Sequence, residues 1–181
     1  MIEIRDSLHS VDALAALVDE ANASPFIGSL SVEELTHLLR GGTLRFLYAA
    51  DTLVGFGGWI PINAQWAEAG PFFVSEQVRG QGLGKRIIHE VIVQGARDGI
   101  NQYAVTRNLA VKHMLKVEGF QEVRLVSLPA AVQLFVIRKV SIAKALRFIQ
   151  KRYPEPVSHF ALIRHQAAAQ SHRRSGQGET A

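Results

Sequence analysis

Phe72-Phe73-Val74-Ser75-Glu76-Gln77-Val78-Arg79-Gly80-Gln81-Gly82-Leu83-Gly84-Lys85-Arg86 is the segment from which the rest of the chain can be understood. An apolar run gives way to polar and turn-forming residues, then to alternating glycines, then to a helical pattern. Leu83, Ile87 and Val91 recur every fourth residue with Ile88 and Ile92 beside them, and Asp98-Gly99 closes the run as a helix end does. The segment reads as strand, glycine loop and helix. Glycines at 80, 82 and 84 remove side chains where the unpaired N–H groups of a helix start point outward, which suits a phosphate or pyrophosphate.

The charges agree with an anion there. Lys85 and Arg86 fall in the first helical turn, where the macrodipole disfavours a cation by roughly 0.3–1 kcal/mol each. Arg79 stands just before the loop, and three cations at a positive helix end make sense when a polyanion lies among them. Two well-known phosphate loops do not fit. A P-loop places four residues between its glycines and follows them with Lys and Ser or Thr, whereas three residues separate Gly80 from Gly84 and Arg86 follows Lys85. The dinucleotide fingerprint G-x-G-x-x-G requires glycine or alanine where this chain has Lys85.

Arg79, Gly82 and Gly84 do match R-x-x-G-x-G, with Val74 ending the strand five residues before the arginine. This resembles the acyl-CoA-binding motif of the GNAT superfamily of N-acyltransferases. A second resemblance lies downstream, where Asn108 follows a strand and Gly119-Phe120 ends twelve residues later. Together these imply an α/β (α+β) fold: a mixed, mostly antiparallel sheet splayed at its fourth and fifth strands and flanked by helices. They also imply acetyl-CoA as the acyl donor. Its contacts would come from Phe72, Phe73 and Val74 on the strand, from Arg79, Gly80, Gln81, Gly82, Leu83, Gly84 and Lys85, and from Asn108 and Leu115. One departure stands out. Family members often carry a tyrosine seven residues after the asparagine, as general acid for the CoA thiolate, and that position here is Leu115.

The remaining elements can be set out in order. Ile2 and Ile4 alternate with Glu3 and Arg5 as a short strand. Ser10 caps a helix with Val11, Leu14, Leu17 and Val18 on one face. After a loop from Asn22 to Gly28, Ser31 and Glu34 form a capping box, with Leu30 stapled to Leu35, and the helix stops at Gly41-Gly42. Leu44–Ala49 and Leu53–Ile60 form a hairpin about Asp51-Thr52. In Trp66–Val74, Pro71 cannot donate to a ladder and signals an edge, a bulge or the end of pairing. Gln102–Thr106 reads as a strand, and Asn108 caps a short helix ending at Gly119. Val123, Leu125 and Val126, then Val132–Ile137, read as two further strands around Pro129. The resemblance covers residues 1–139. Beyond it lie an appended helix capped by Ser141, with Ile142, Ala145, Leu146 and Ile149 on one face, and a segment Val157–Ile163 that is either one more strand or coil. This appendage spans 140–165, and a polar, basic tail, 166–181, has the composition of disorder.

An N-acyltransferase must bind a thioester, deprotonate an ammonium, stabilise an oxyanion and release a thiolate. The backbone N–H of Val74 is the expected oxyanion donor. Glu68 is the expected base: it precedes Val74 by six residues and, absent a bulge, shares its face of the strand. A thiol pKa of about 8.5 lets a thiolate leave without a proton. Tyr103, five residues before Asn108, is the alternative acid, against an ordinary place in the core. Trp59 and Trp66 line an acceptor pocket or simply pack.

The chain has 181 residues, 48% of them hydrophobic, enough for one domain and an appendage. With no cysteine it has no disulfide, thiolate metal site or cysteine nucleophile. Its histidines show no metal-ligand spacing, so no metal is expected. A net charge of +4 suits an anionic ligand, is small for nucleic acid, and is not interleaved with aromatic platforms. The absence of a signal peptide and of an apolar run near ~18 residues points to a cytoplasmic protein without membrane contact. The expected partners are acyl-CoA and an amine, and a homodimer is compatible with the pattern. The competing function is a non-catalytic CoA-binding or assembly protein, suggested by Leu115 and by the run Leu115-Lys116-Val117-Glu118-Gly119, which is similar to GNAT-like proteins encoded by phages.

Overall fold

The computed structural model describes residues 1–27, 29–139 and 156–164. The helix expected from Ser141 and the tail at 166–181 lie outside the described residues. In chain order the elements are β1 (Ile2–Arg5), α1 (Val11–Ala23), α2 (Val32–Arg40), β2 (Leu44–Ala49), β3 (Thr52–Pro61), β4 (Trp66–Val74), α3 (Leu83–Arg97), β5 (Asn101–Thr106), α4 (Leu109–Val117), β6 (Gln121–Val123), α5 (Ala130–Lys139) and β7 (Ser158–Leu162).

Local signals account for most of these starts. Ser10 Oγ accepts from Ala13 N–H at 3.2 Å, and the capping box of α2 closes through Glu34 N–H to Ser31 Oγ at 3.1 Å and Ser31 N–H to Glu34 Oε2 at 3.0 Å. Asn108 Oδ1 accepts from Ala110 N–H at 2.9 Å at the start of α4. Such a cap contributes about 1 kcal/mol.

The strands form one seven-stranded sheet in the order β1-β2-β3-β4-β5-β7-β6. Neighbours are antiparallel except β4 and β5, which run parallel. Helices α1 and α2 cover one face, packing Leu14, Leu17, Leu35 and Leu38 on Leu44, Phe46, Phe56 and Phe73. Helices α3 and α4 cover the other, where Ile88, Ile92 and Leu115 meet Ala69, Ala104 and Phe160. A Cβ at Gly57 would stand 2.8 Å from Ile87 Cγ1, so the missing side chain in β3 is what lets α3 sit this close.

Two expectations fail at the end of the chain. Leu125 and Val126 lie in a 3-10 turn, Leu125–Ser127, and Val132–Ile137 lies within α5 rather than in a strand. Pro129 starts that helix, its carbonyl accepting from Val132 N–H at 2.9 Å and Gln133 N–H at 3.1 Å. Val132 and Val136, one turn apart, then both pack on Trp66 and Tyr103. Helical spacing prevails over the strand preference of a short β-branched run. The strand expected there is supplied by β7, which pairs Tyr103 with Ala161 on one side and Val123 with His159 on the other. Residues 158–162 are thus interior to the sheet, and the sheet is not contained within 1–139.

Candidate active site

β4 pairs with β5 only at Trp66–Asn101, Ala67–Gln102 and Glu68–Tyr103. Beyond that point β4 keeps β3 as its partner, through Phe72, Phe73 and Val74, and parts from β5. The sheet therefore opens into a gap at the expected strands. The register sets which backbone groups face it. Ser75 N–H donates to Val54 O at 2.8 Å while Val74 stands opposite Gly55, which makes Val74 and Gly55 a non-hydrogen-bonded pair. Val74, and Phe72 two residues earlier, consequently direct N–H and C=O away from β3 and into the gap.

The strand then leads through a 3-10 turn, Glu76–Val78, into the glycine loop. Gly80 and Gly82 adopt φ of 81° and 74°, and Gly82 is the N-cap of α3 with no side-chain cap bond. The first helical bond runs from Arg86 N–H to Gly82 O at 3.1 Å, which leaves the amides of Leu83, Gly84 and Lys85 ahead of it at the helix mouth. Nothing lies within 4 Å of a Cβ built at Gly80 or Gly82. The loop is an open cradle of amides.

The cations divide. Arg79 pairs with Glu76 at 2.8 Å and its Nε donates to Val74 O at 3.4 Å, so it braces the strand-to-loop turn. Arg86 Nη1 donates to Ile2 O at 3.0 Å and ties α3 to β1. Lys85 is exposed at the helix start with Gln81 before it. Lys85 thus adds an exposed charge in the first turn of α3, and Arg79 adds positive field from a salt-bridged position.

Across the gap, α4 presents Asn108 as its cap. Leu115 is fully buried with Ile88, Ala104 and Phe120. It was expected among the cofactor contacts, and here its side chain is packed within the cluster on the α3 side of the sheet. Trp59 and Trp66 are likewise buried, on opposite faces of the sheet, the first against Ala67 and Val91 and the second against Tyr103.

Glu68 and Val74 do not share a face. Two residues of β4, Gly70 and Pro71, stand against the single residue Gly58 of β3, and this bulge reverses the alternation. Glu68 is opposite Ile60 and lies on the α1/α2 side, whereas the side chain of Val74 points to the α3 side with Leu47 and Leu83. At the closed end of the gap, Glu68 has a side chain 7% exposed, and its Oε2 accepts from Lys139 Nζ at the end of α5. Tyr103 is its neighbour on β5. Its hydroxyl lies 2.6 Å from His159 Nδ1, and burial first, then the Glu68 charge, push its pKa well above the ordinary phenol value. That direction opposes service as an acid for a thiolate, which the sequence had offered as one role for Tyr103. Burial holds His159 below its usual range. Lys139 and His159 carry no local signal, lying 71 residues from Glu68 and 56 from Tyr103.

A family model described as the acetyltransferase (GNAT) family matches residues 14–120. That span takes in the splayed strand, the glycine loop and the Gly119-Phe120 helix end. This chain belongs to the acetyltransferase (GNAT) family.

Solved structures share its fold. Neisseria gonorrhoeae N-acetylglutamate synthase, complexed with coenzyme A and N-acetyl-glutamate, aligns with a TM-score of 0.67 and 18% identity over 89% of this chain and 34% of that one. The chain thus spans about a third of that synthase. A Mycobacterium tuberculosis protein in complex with CoA and NLQ aligns at 0.67 and 17%, covering 89% and 98% of the two chains. The Escherichia coli ribosomal-protein-S18-alanine N-acetyltransferase aligns at 0.60 and 18%, covering 90% and 93%. At these identities the likeness is one of fold. No curated protein sequence matches the chain. Among the described residues no helix is long and apolar enough to cross a membrane, and no three His, Asp or Glu side chains gather as a metal ion would need.

Proposed function

We propose that this protein is an N-acyltransferase that moves an acetyl or other short acyl group from acyl-CoA to an amine by direct attack. The observation that carries the reading is the free edge of β4, whose gap-facing amides at Phe72 and Val74 lead into an amide-lined helix start. Pantetheine has two amides spaced much as in a peptide, so it can pair with such an edge as an added strand. The pyrophosphate then meets the amides of Leu83, Gly84 and Lys85.

Glu68 is the base in this reading, taking a proton from the amine at the closed end of the gap. The oxyanion role passes from Val74 to Phe72. An extended strand advances about 3.3 Å per residue, so Phe72 lies two residues, about 6–7 Å, nearer to Glu68 along β4 than Val74 does. Phe72 has the nearest gap-facing N–H past the bulge, and Val74 is left to pair with the pantetheine arm. The thiolate leaves unprotonated, as a pKa of about 8.5 allows. Tyr103 holds the neighbourhood of Glu68 through His159. Fold does not set the acceptor, and the side chains around Glu68 do.

One observation favours a second reading. Lys139 already occupies Glu68, as it would in a CoA-binding protein whose carboxylate serves only to close the sheet. A thermal-shift panel of acetyl-CoA, longer acyl-CoAs, CoA and NAD, followed by an acetyl-transfer assay on amines and peptides, separates the two. A ligand at ~100 times its dissociation constant stabilises by about 2.7 kcal/mol. Stabilisation by CoA but not NAD, with transfer to an amine, supports the enzyme. CoA binding without transfer to any acceptor supports the binding protein.

A further inference from the structure

The carboxylate read as the base already holds a primary alkylammonium. Lys139 reaches from the end of α5 to place Nζ on Glu68 Oε2, and the same nitrogen lies 5.6 Å from the centre of the Phe135 ring. The lysine side chain is 40% exposed while the glutamate side chain is nearly buried, so the pair is open to solvent on the lysine's side only. Glu68 is also the last residue of β4 paired with β5, so this ammonium sits where the gap begins. Amine and base are in contact at the closed end of the gap that the acyl donor is proposed to enter.

Resting on the assignment of Glu68 as base, we infer that Lys139 is itself an acceptor and that the chain acetylates it within its own cleft. The ammonium gives one proton to Glu68, and the freed lone pair of Nζ attacks the acyl carbonyl carbon. A C–N bond forms and the C–S bond breaks, its electron pair leaving on sulfur as the CoA thiolate. The second proton lost from nitrogen goes to water, and the product is a neutral amide. The only co-reactant is acyl-CoA, the donor of the proposed reaction. Because both groups belong to one chain, the step is unimolecular once the donor is bound.

Lys112 and Lys116 provide the internal standard for uncatalysed acetylation. Lys112 Nζ donates to Pro156 O at 3.0 Å and Lys116 pairs with Glu122 at 3.3 Å, so both are tethered surface amines away from Glu68. The full chain is incubated with acetyl-CoA and each lysine is followed by peptide mass spectrometry. Lys139 is expected to gain one acetyl group ~10²-fold faster than Lys112 or Lys116, at a rate per chain independent of protein concentration. Glu68→Gln, checked as folded by its melting curve and as binding CoA, should bring Lys139 down to the rate of the other two. Lys139→Arg should leave no fast site. Lys139 already acetylated on purification in the parent, and unmodified in Glu68→Gln, supports the inference equally. Transfer to an external amine with Lys139 no faster than Lys112 overturns this inference alone. Bound CoA with no transfer to Lys139 or to any external amine overturns both it and the acyltransferase reading.

Discussion

The two sides of the cleft are assembled in opposite ways. The proposed donor side is one continuous segment, from the free edge of β4 through the 3-10 turn to the first turn of α3, and it offers a ligand almost entirely backbone groups. The proposed acceptor side gathers Glu68, Tyr103, Lys139 and His159 from β4, β5, α5 and β7, and the contacts among them are entirely between side chains. Backbone amides at a helix start need only glycines to be reached, and any acyl-CoA presents them with the same pyrophosphate. A convergent set of side chains depends on how four elements pack, so it can change while the fold persists. The family match over residues 14–120 takes in the whole proposed donor segment together with Glu68 and Tyr103, and leaves Lys139 and His159 outside it.

The sharpest test of that division is Gly82→Val beside Gly99→Val. Both glycines have positive φ, 74° and 68°, and both have open space around a new Cβ. A side chain in that region costs roughly 1–2 kcal/mol at either place, so melting temperatures should fall by similar amounts. Only the first change puts bulk in the amide cradle. Calorimetry should find no CoA binding to Gly82→Val at concentrations that saturate Gly99→Val. Equal affinities would move the pyrophosphate away from this loop.

On the acceptor side the largest effect belongs to Glu68. Glu68→Gln removes the proposed base while keeping its shape, and turnover with an external amine should fall ~10²-fold or more while the dissociation constant for CoA stays where it was. If CoA affinity fell in parallel with turnover, the two sides would not be separable as drawn.

Legibility followed the same division. The glycine loop, the capping box at Ser31 and Glu34 and the cap at Asn108 each rest on residues within a few positions of one another, and each forms as the sequence indicates. Pro71 signalled an edge, a bulge or the end of pairing without choosing among them, and the reversal of faces at Glu68 depends on a count across two strands. Val132–Ile137 was read as a strand because a short apolar run has no period of its own, and only contact with Trp66 and Tyr103 makes it a helix face. Lys139 and His159 had no signal at all. Their roles come from partners more than fifty residues away, the separations being 71 and 56.

Leu115 tests where the two sides meet. The usual phenol would be restored by Leu115→Tyr, yet this position is fully buried among Ile88, Ala104 and Phe120. The larger side chain should overpack the cluster and destabilise the fold by roughly 1–3 kcal/mol, read as a lower midpoint in urea. No gain in turnover is expected. A stable variant with faster turnover would mean that α4 turns this residue toward the gap when the donor binds.

The smallest expected effect concerns His159 and pH. Burial lowers its pKa from 6.5, while the Tyr103 hydroxyl, raised by burial and by the Glu68 charge, keeps its proton. At a separation of 2.6 Å the phenol therefore donates to Nδ1, and the ring hydrogen sits on Nε2. In the folded chain the ring stays neutral at pH values where the unfolded chain would protonate it. The stability linked to this is fully present above about pH 6.5 and is lost as pH falls from there through the lowered folded value. A protonated ring also has no acceptor left for the phenol, so acidification breaks the bond that holds Tyr103 beside Glu68. His159→Gln keeps a hydrogen-bonding side chain of similar reach and removes the titration. The melting temperature of the parent should consequently drop more between pH 7 and pH 5 than that of the variant, with the two curves closest at the acid end. Parallel curves across that range would show that His159 is not held neutral by the fold, and would leave Tyr103 fixed by packing against Trp66, Leu128 and Val132 alone.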